Sequence, residues 1–326
     1  MPTGKDRDSI VAIEIGAGAR RVAVLGQVHA EELNGGVLAR NLVERLIEPG
    51  ALPEGLTVCV YPRVNPTGHR LGIRRNGLVV KPPGDHFAGF TTERDPENPT
   101  MFDAWGQNPT NPADVGFNLT ACWSRDSAPE TVAVRQDLDA FMPHFAFDLH
   151  GARLDKPVAS DGDQTLLGLI WLTSSSEKSR LERAIVKNSD VATRADKLRR
   201  LSELSIPPQH IVEHSQRMAA SIAESVPREI AAFPRSIFTG LGPYLAASGI
   251  PSLIIELGYG TETPVTTEVP RAAWLEPTLT QIARGTIEEI DPRQALDISV
   301  LRYPILPHRP MSAMDRARMA GARHSR

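Results

Sequence analysis

The stretch from Val22 to Tyr61 constrains the fold most. An apolar run, Val22-Ala23-Val24-Leu25, is followed by Leu38, Leu42, Val43 and Leu46 at helical spacing, then by a second run, Thr57-Val58-Cys59-Val60-Tyr61. Short continuous apolar runs read as buried strands, whereas the i, i+4 recurrence marks a helix with one apolar face. Strand, helix, strand in this order predicts a parallel crossover unit. Upstream, Ile10 to Glu14 is another apolar run, separated from Val22 by a turn rich in glycine, Gly16-Ala17-Gly18. That arrangement predicts a hairpin or two adjacent strands.

From Pro62 to Ser127 no period holds, and proline recurs at Pro66, Pro82, Pro83, Pro96, Pro99, Pro109 and Pro112. We expect a loop region packed over a site, because so long a structureless stretch inside a compact domain is usually functional. Regularity returns with a helix over Pro129 to Met142, proline sitting in its first turn. Strands are then expected over Phe145–Leu149, Leu166–Leu172 and Ser252–Leu257. Helices are expected over Ser174–Val191, Gln209–Ser225 and Arg271–Ile290. The predicted architecture is a single α/β domain over residues 1–300, with a mixed, largely parallel sheet flanked by helices. A basic tail would follow over residues 301–326; Arg309 to Arg326 holds five arginines and one aspartate, and reads as a solvated end.

Composition narrows the function classes. The 326 residues are 41% hydrophobic, enough for a sizeable core, and 36 basic against 39 acidic residues give a net charge of −3. That balance gives no electrostatic footprint for nucleic acid or an anionic membrane, and aromatics at 5% leave few base-stacking platforms. Cys59 and Cys122 form no disulfide framework and no cysteine-based metal site. No apolar run approaches the roughly 18–20 residues of a membrane span, and the first residues show no secretory apolar core. A cytoplasmic enzyme acting on a small-molecule or peptide substrate is the expectation; the oligomeric state leaves no mark in the sequence.

The chemistry gathers at strand ends. Gly26-Gln27-Val28-His29-Ala30-Glu31-Glu32 follows the first buried run and offers an imidazole and, three residues on, a carboxylate. Zinc accepts both, and a catalytic site takes three protein ligands and keeps one position for water. Alone the pair is equally a solvated turn, and Glu31 competes with Glu32. His150, in Asp148-Leu149-His150-Gly151, ends another strand. In an open sheet, carboxyl strand ends share one crevice, so His29, Glu32 and His150 fall on one edge; a histidine bonded to Asp148 is the alternative. Glu256, in Ile254-Ile255-Glu256-Leu257-Gly258, is a carboxylate at the end of an apolar strand, costly to bury unless partnered. Beside an activated water it would move a proton; an ion pair with an arginine is the structural alternative. Val64-Asn65-Pro66-Thr67-Gly68, followed by Arg74-Arg75-Asn76, opens at the same edge. A guanidinium there can meet an oxyanion or grip a carboxylate, or stand in solvent.

The order of these motifs, His-x-x-Glu, Asn-Pro-x-Gly with Arg and Asn behind it, Asp-Leu-His-Gly, then Glu-Leu-Gly, resembles the zinc carboxypeptidase superfamily. That group holds the metallocarboxypeptidases and the succinylglutamate desuccinylase/aspartoacylase deacylases. The resemblance spans Val22 to Gly258 and implies one Zn²⁺ per chain on His29, Glu32 and His150, the His₂Glu set of carboxypeptidase A. It implies Glu256 as general base and Arg74, with Arg75 as neighbour, at the oxyanion. The family's Asp-x-Asn-Arg segment, which holds a substrate carboxylate, is matched only by Gly116-Phe117-Asn118-Leu119: Asn118 fits, whereas Gly116 and Leu119 replace the aspartate and arginine. Arg125 is one substitute. A family tyrosine is matched by Tyr244 or Tyr259. The expected activity is zinc-dependent hydrolysis of an amide in a peptide. Cleavage of an N-acyl amino acid is the first alternative, and a non-catalytic ligand-binding member is the second.

Overall fold

The computed structural model describes residues 8–77, 105–108, 111–123, 128–151, 166–188, 194–195, 198, 206–226, 231–237, 240–257 and 269–295. The strands are β1 (Ile13–Gly16), β2 (Arg20–Gly26), β3 (Leu56–Tyr61), β4 (Trp105–Asn108), β5 (Asn111–Phe117), β6 (Phe145–His150), β7 (Leu166–Leu172), β8 (Ala231–Ile237) and β9 (Ser252–Leu257). The helices are α1 (Leu33–Leu46), α2 (Pro66–Leu71), α3 (Pro129–Phe141), α4 (Ser175–Asn188), α5 (Gln209–Ser225), α6 (Leu241–Ala247) and α7 (Val269–Arg284).

Seven strands form one mixed sheet in the order β1-β3-β2-β6-β9-β7-β8, and β4 pairs with β5 separately. The central block β3-β2-β6-β9 is parallel throughout. Its strands are apolar through their middles because helices cover both faces. On one face Val22, Val24, Phe145, Phe147 and Leu149 meet Leu38 and Leu42 of α1, Met218 and Ile222 of α5, and Leu275 and Leu279 of α7. On the other, Ala23, Leu25 and Ala146 meet Val134 and Leu138 of α3 and Leu241 and Leu245 of α6. Each fully buried leucine or phenylalanine contributes roughly 1.5–3 kcal/mol. The strand period of two sets which residues face which layer.

The crossover β2–α1–β3 is as the sequence predicts, and β7, α5 and β9 have the predicted limits. Two expectations are corrected. β1 does not pair with β2; it lies antiparallel to β3, leaving β2 between β3 and β6. Nearness in sequence favoured a hairpin, but β2 already has a parallel partner on each side. The region 62–127 is not structureless: its described residues hold α2, β4, β5 and a 3₁₀ turn at Leu119–Ala121. β8 and α6 were not foreseen; Pro234 interrupts the strand signal of β8, which the sheet tolerates because β8 is an edge. The tail 301–326 lies outside the described residues.

Candidate metal centre and active site

The carboxyl ends of β2, β3, β6 and β9 lie along one sheet edge, and that edge holds the candidate chemistry. After Gly26 the chain turns sharply at Gln27, which takes a positive φ of 53°, unusual for a residue with a side chain. The turn carries His29 and Glu32 and runs directly into α1. Gly35 lets α1 rest on the end of β6: a Cβ there would stand 2.1 Å from the Leu149 carbonyl oxygen. This closeness brings Glu32 to His150.

Glu32 is shared between two histidines. Its Oε1 lies 2.8 Å from His29 Nδ1 and its Oε2 lies 2.9 Å from His150 Nδ1, with Gly151 N donating to Oε2 at 3.1 Å. One ligand atom from each of His29, Glu32 and His150 falls within 4.8 Å of the others, and all three residues are buried. Glu31, the competing carboxylate, stands outside this group, where Arg74 holds it.

The outward nitrogen of each ring faces polar groups. His150 Nε2 lies 3.1 Å from Asp148 Oδ1 as an ion-pair contact. His29 Nε2 lies 2.7 Å from Thr120 Oγ1, 3.2 Å from Asn118 Oδ1 and 3.0 Å from Arg74 Nη2. Groups behind metal-binding imidazoles orient the rings. A buried pair of imidazole nitrogens around one carboxylate fits a divalent ion such as zinc, whose usual donors these are.

Burial pushes the Glu32 carboxyl up, but the facing rings of His29 and His150 outweigh it and hold the group well below the usual carboxylate range. Burial opposes protonation of His150 as well, yet Asp148 and Glu32 hold it well above the ordinary imidazole value. Burial and the Arg74 charge push His29 down. Without a metal the site therefore holds an ionised Glu32, a charged His150 and a neutral His29. In that state His29 Nδ1–H donates to Glu32, and its Nε2 accepts from Arg74 Nη2 at 3.0 Å, the tautomer following from these partners.

Arg74 comes from the segment after α2. Its Nη1 donates to Glu31 Oε1 at 2.6 Å and to Glu32 Oε1 at 2.9 Å. The Asn-Pro-Thr-Gly motif explains its position. Asn65 caps α2 by accepting from Gly68 N at 3.0 Å, while its Nδ2 donates to the carbonyls of Arg74 and Arg75, each at 3.2 Å. Asn65 is itself fastened to the ligand turn, its N–H donating to Gln27 O at 3.3 Å.

Glu256 stands on β9 as the register partner of His150 on β6. Partners in a parallel pair project to the same side of the sheet. Burial pushes its carboxyl up to about 7, with His150 and Arg74 acting to lower it and Glu32 and Asp148 to raise it. Arg75 is only 2% exposed, and its Nη1 donates to the Gly116 carbonyl at 3.2 Å, which fixes the segment leading to Asn118. Asn118 is also buried and lies against His29. Tyr244 engages α3 through Asp139; Tyr259 and Arg125 lie outside the described residues.

The seven-stranded architecture with this edge has counterparts of known structure. A candidate carboxypeptidase A from Shewanella denitrificans OS-217 matches with a TM-score of 0.51 at 13% identity, over 87% of this chain and 62% of that one. The chain has the zinc carboxypeptidase-like fold. A metallo-carboxypeptidase from Burkholderia cenocepacia matches with a TM-score of 0.49 at 16% identity, over 85% of this chain and 60% of that one. A succinylglutamate desuccinylase/aspartoacylase from Rhodobacter sphaeroides matches with a TM-score of 0.41 at 15% identity, over 83% of this chain and 57% of that one. The chain thus spans about 60% of the length of the solved structures it first matches. No protein-family model matches it, and no curated protein does.

Within this fold the sequence passed over three residues that the geometry brings forward. Asp148 was legible only as a hydrogen-bond partner of His150, and the structure adds that it faces the nitrogen opposite Glu32. Thr120 carried no signal at all. Asn65 stood inside a recognised motif, but its hold on Arg74 depends on tertiary contact.

Proposed function

We propose that this chain is a zinc-dependent hydrolase that cleaves an amide bond by attack of water, in the manner of a metallocarboxypeptidase. The observation that carries this reading is the single Glu32 carboxylate set between His29 Nδ1 and His150 Nδ1 at the end of a buried turn. In this proposal His29, Glu32 and His150 hold the metal. Bound zinc supplies a water acidified towards pKa about 7 and a Lewis acid for the scissile carbonyl.

The chain's own residues carry the rest. Glu256 is a buried carboxylate in the same electrostatic neighbourhood as His150, Glu32 and Arg74, where it would take a proton from the activated water and give it to the departing amine. Arg74 offers a guanidinium beside the ligands, where negative charge on a tetrahedral oxygen would develop. Asp148, Thr120 and Asn118 orient the imidazoles. Arg75 acts at one remove, through the Gly116 segment, and helps keep Asn118 in place to meet the substrate.

The substrate class is read by experiment. Zinc-loaded protein is assayed side by side against peptides with free C-termini and against N-acyl amino acids, with a chelator control. We expect chelator-sensitive release of a C-terminal amino acid. Release of amino acid only from N-acyl amino acids would assign the chain to deacylation. Turnover of neither class, in protein that holds zinc, would sink the hydrolase reading in favour of a binding role.

A further inference from the structure

A cavity lies behind the ligand turn. It measures about 460 Å³ and is lined by the start of β1 and the residues before it, the first turns of α1, the β3–α2 connection and α2. None of His29, Glu32, Arg74, His150 or Glu256 lines it. Gln27 alone is common to the turn and the cavity.

Its polar lining carries two guanidinium groups and an imidazole. Arg40 from α1, Arg63 from the connection and His69 from α2 all line the space, with Ser9 and Gln27. Among the described residues no carboxylate pairs with Arg40 or Arg63; the nearby Asp8 is taken by Arg70 at 2.8 Å. Among the described residues Arg63 uses one N–H, donating Nε to Gln27 Oε1 at 3.1 Å. The Gln27 amide is filled on its other side, its Nε2 donating to Ala30 O and to His69 Nδ1, each at 2.6 Å. That bond leaves the second nitrogen of a neutral His69 as a donor. Burial and the Arg40 charge weigh against the Arg63 proton and outweigh the Asp8 charge, which favours it. Gathering like charges in a half-buried space is unfavourable without an anion to offset them.

The remaining walls are aliphatic: Val11, Ile13, Leu33, Val37, Pro62 and Pro66. Val11 and Leu33 are 58% and 47% exposed, apolar surface of the kind a ligand covers. The volume falls within the range of small-molecule sites, which pair apolar walls with a few convergent polar groups.

We propose that this cavity is a binding site for a small organic carboxylate with an aliphatic body, its carboxylate held by Arg40 and Arg63 and its chain laid between β1 and α1. It is separate from the metal centre and does not depend on the hydrolase reading. The test is equilibrium binding of hexanoate to the full chain, zinc-loaded and chelator-stripped, with hexylammonium and inorganic phosphate as comparison probes. We expect one saturable site of equal affinity in both metal states, with hexanoate preferred over both comparison probes. Loss of one charge-assisted partner should weaken it by at least about tenfold in Arg63→Gln and in the exposed Arg40→Gln, which leaves the core untouched. No saturable binding, equal binding of hexylammonium or phosphate, unchanged affinity in both arginine variants, or binding only while zinc is present would each overturn the proposal.

Discussion

His150 and Glu256 are register partners on the adjacent parallel strands β6 and β9. This pairing puts a candidate ligand and a candidate base on the same side of the sheet at the same height, with no loop needed to bring them together. Rigid strands, rather than flexible turns, set their separation.

A charged His150 must give up its proton before a metal can take Nδ1. Asp148 and Glu32 hold that proton well above the ordinary value, whereas His29 is already neutral and Glu32 already ionised. Zinc uptake at pH 7 should therefore release the His150 proton on top of the fractions given up by Glu256 and the metal-bound water, read from the buffer dependence of the binding enthalpy. Asp148→Asn should lower the release by up to about one proton and change zinc affinity by roughly 10–100-fold. A release that is unchanged in Asp148→Asn would contradict a charged His150.

The same pair makes the metal-free protein's stability depend on pH at both ends. Glu32 has a folded pKa below its unfolded value, so its contribution is present above about pH 4.5 and is lost as pH falls through the folded value. His150 has a raised folded pKa, so its contribution is complete below about pH 6.5 and is lost as pH rises through the folded value. Chelated wild-type protein should show its highest Tm between these limits, and Glu32→Gln should flatten the acidic limb. A Tm rising steadily to pH 10 would contradict this.

Glu256 works in the opposite direction. Folding raises its carboxyl from 4.5 to about 7, so ionising it opposes the folded state, a penalty absent below pH 4.5 and complete above about pH 7. The shift corresponds to on the order of 3 kcal/mol. Glu256→Gln should leave the chelated protein as stable as wild type at pH 4 and more stable at pH 8. In the zinc-loaded form it should nearly abolish turnover while zinc stays bound. Denaturant unfolding at the two pH values checks the first part, and single-turnover assays check the second.

Asn65 and Arg74 separate positioning from chemistry. Arg74→Ala removes the guanidinium proposed to meet the oxyanion and should lower kcat/KM by about 10²–10³ without loss of zinc. Asn65→Ala removes a helix cap and both bonds to the Arg74–Arg75 backbone. It should cost about 1–3 kcal/mol of stability and lower kcat as Arg74 loosens. Full activity in Asn65→Ala would show that Arg74 needs no such support.

Much of this arrangement could be read from the chain because the residues that matter end strongly apolar strands. His150 and Glu256 stand out where Phe145–Leu149 and Ser252–Ile255 leave no other polar group near the edge except Asp148. What escaped was set by partners distant in sequence. β1 joined β3 because β2 was already flanked, and proline hid both α2 and the edge strand β8. Asn65, Thr120 and Asp148 act through contacts with residues far along the chain, to which local pattern is blind. The substrate end stayed weakest in sequence, since Leu119 stands where an arginine was expected, and the structure buries Leu119 completely.

The proposed function stands on His29, Glu32 and His150 holding one metal ion together. Zinc content of the purified chain, loaded and dialysed, measures this. We expect close to one zinc per chain in wild type and in Glu256→Gln, and almost none in His150→Ala or Glu32→Gln with the fold intact by circular dichroism. Wild-type protein that retains no zinc, or a His150→Ala variant that retains it undiminished, would rule out this metal centre.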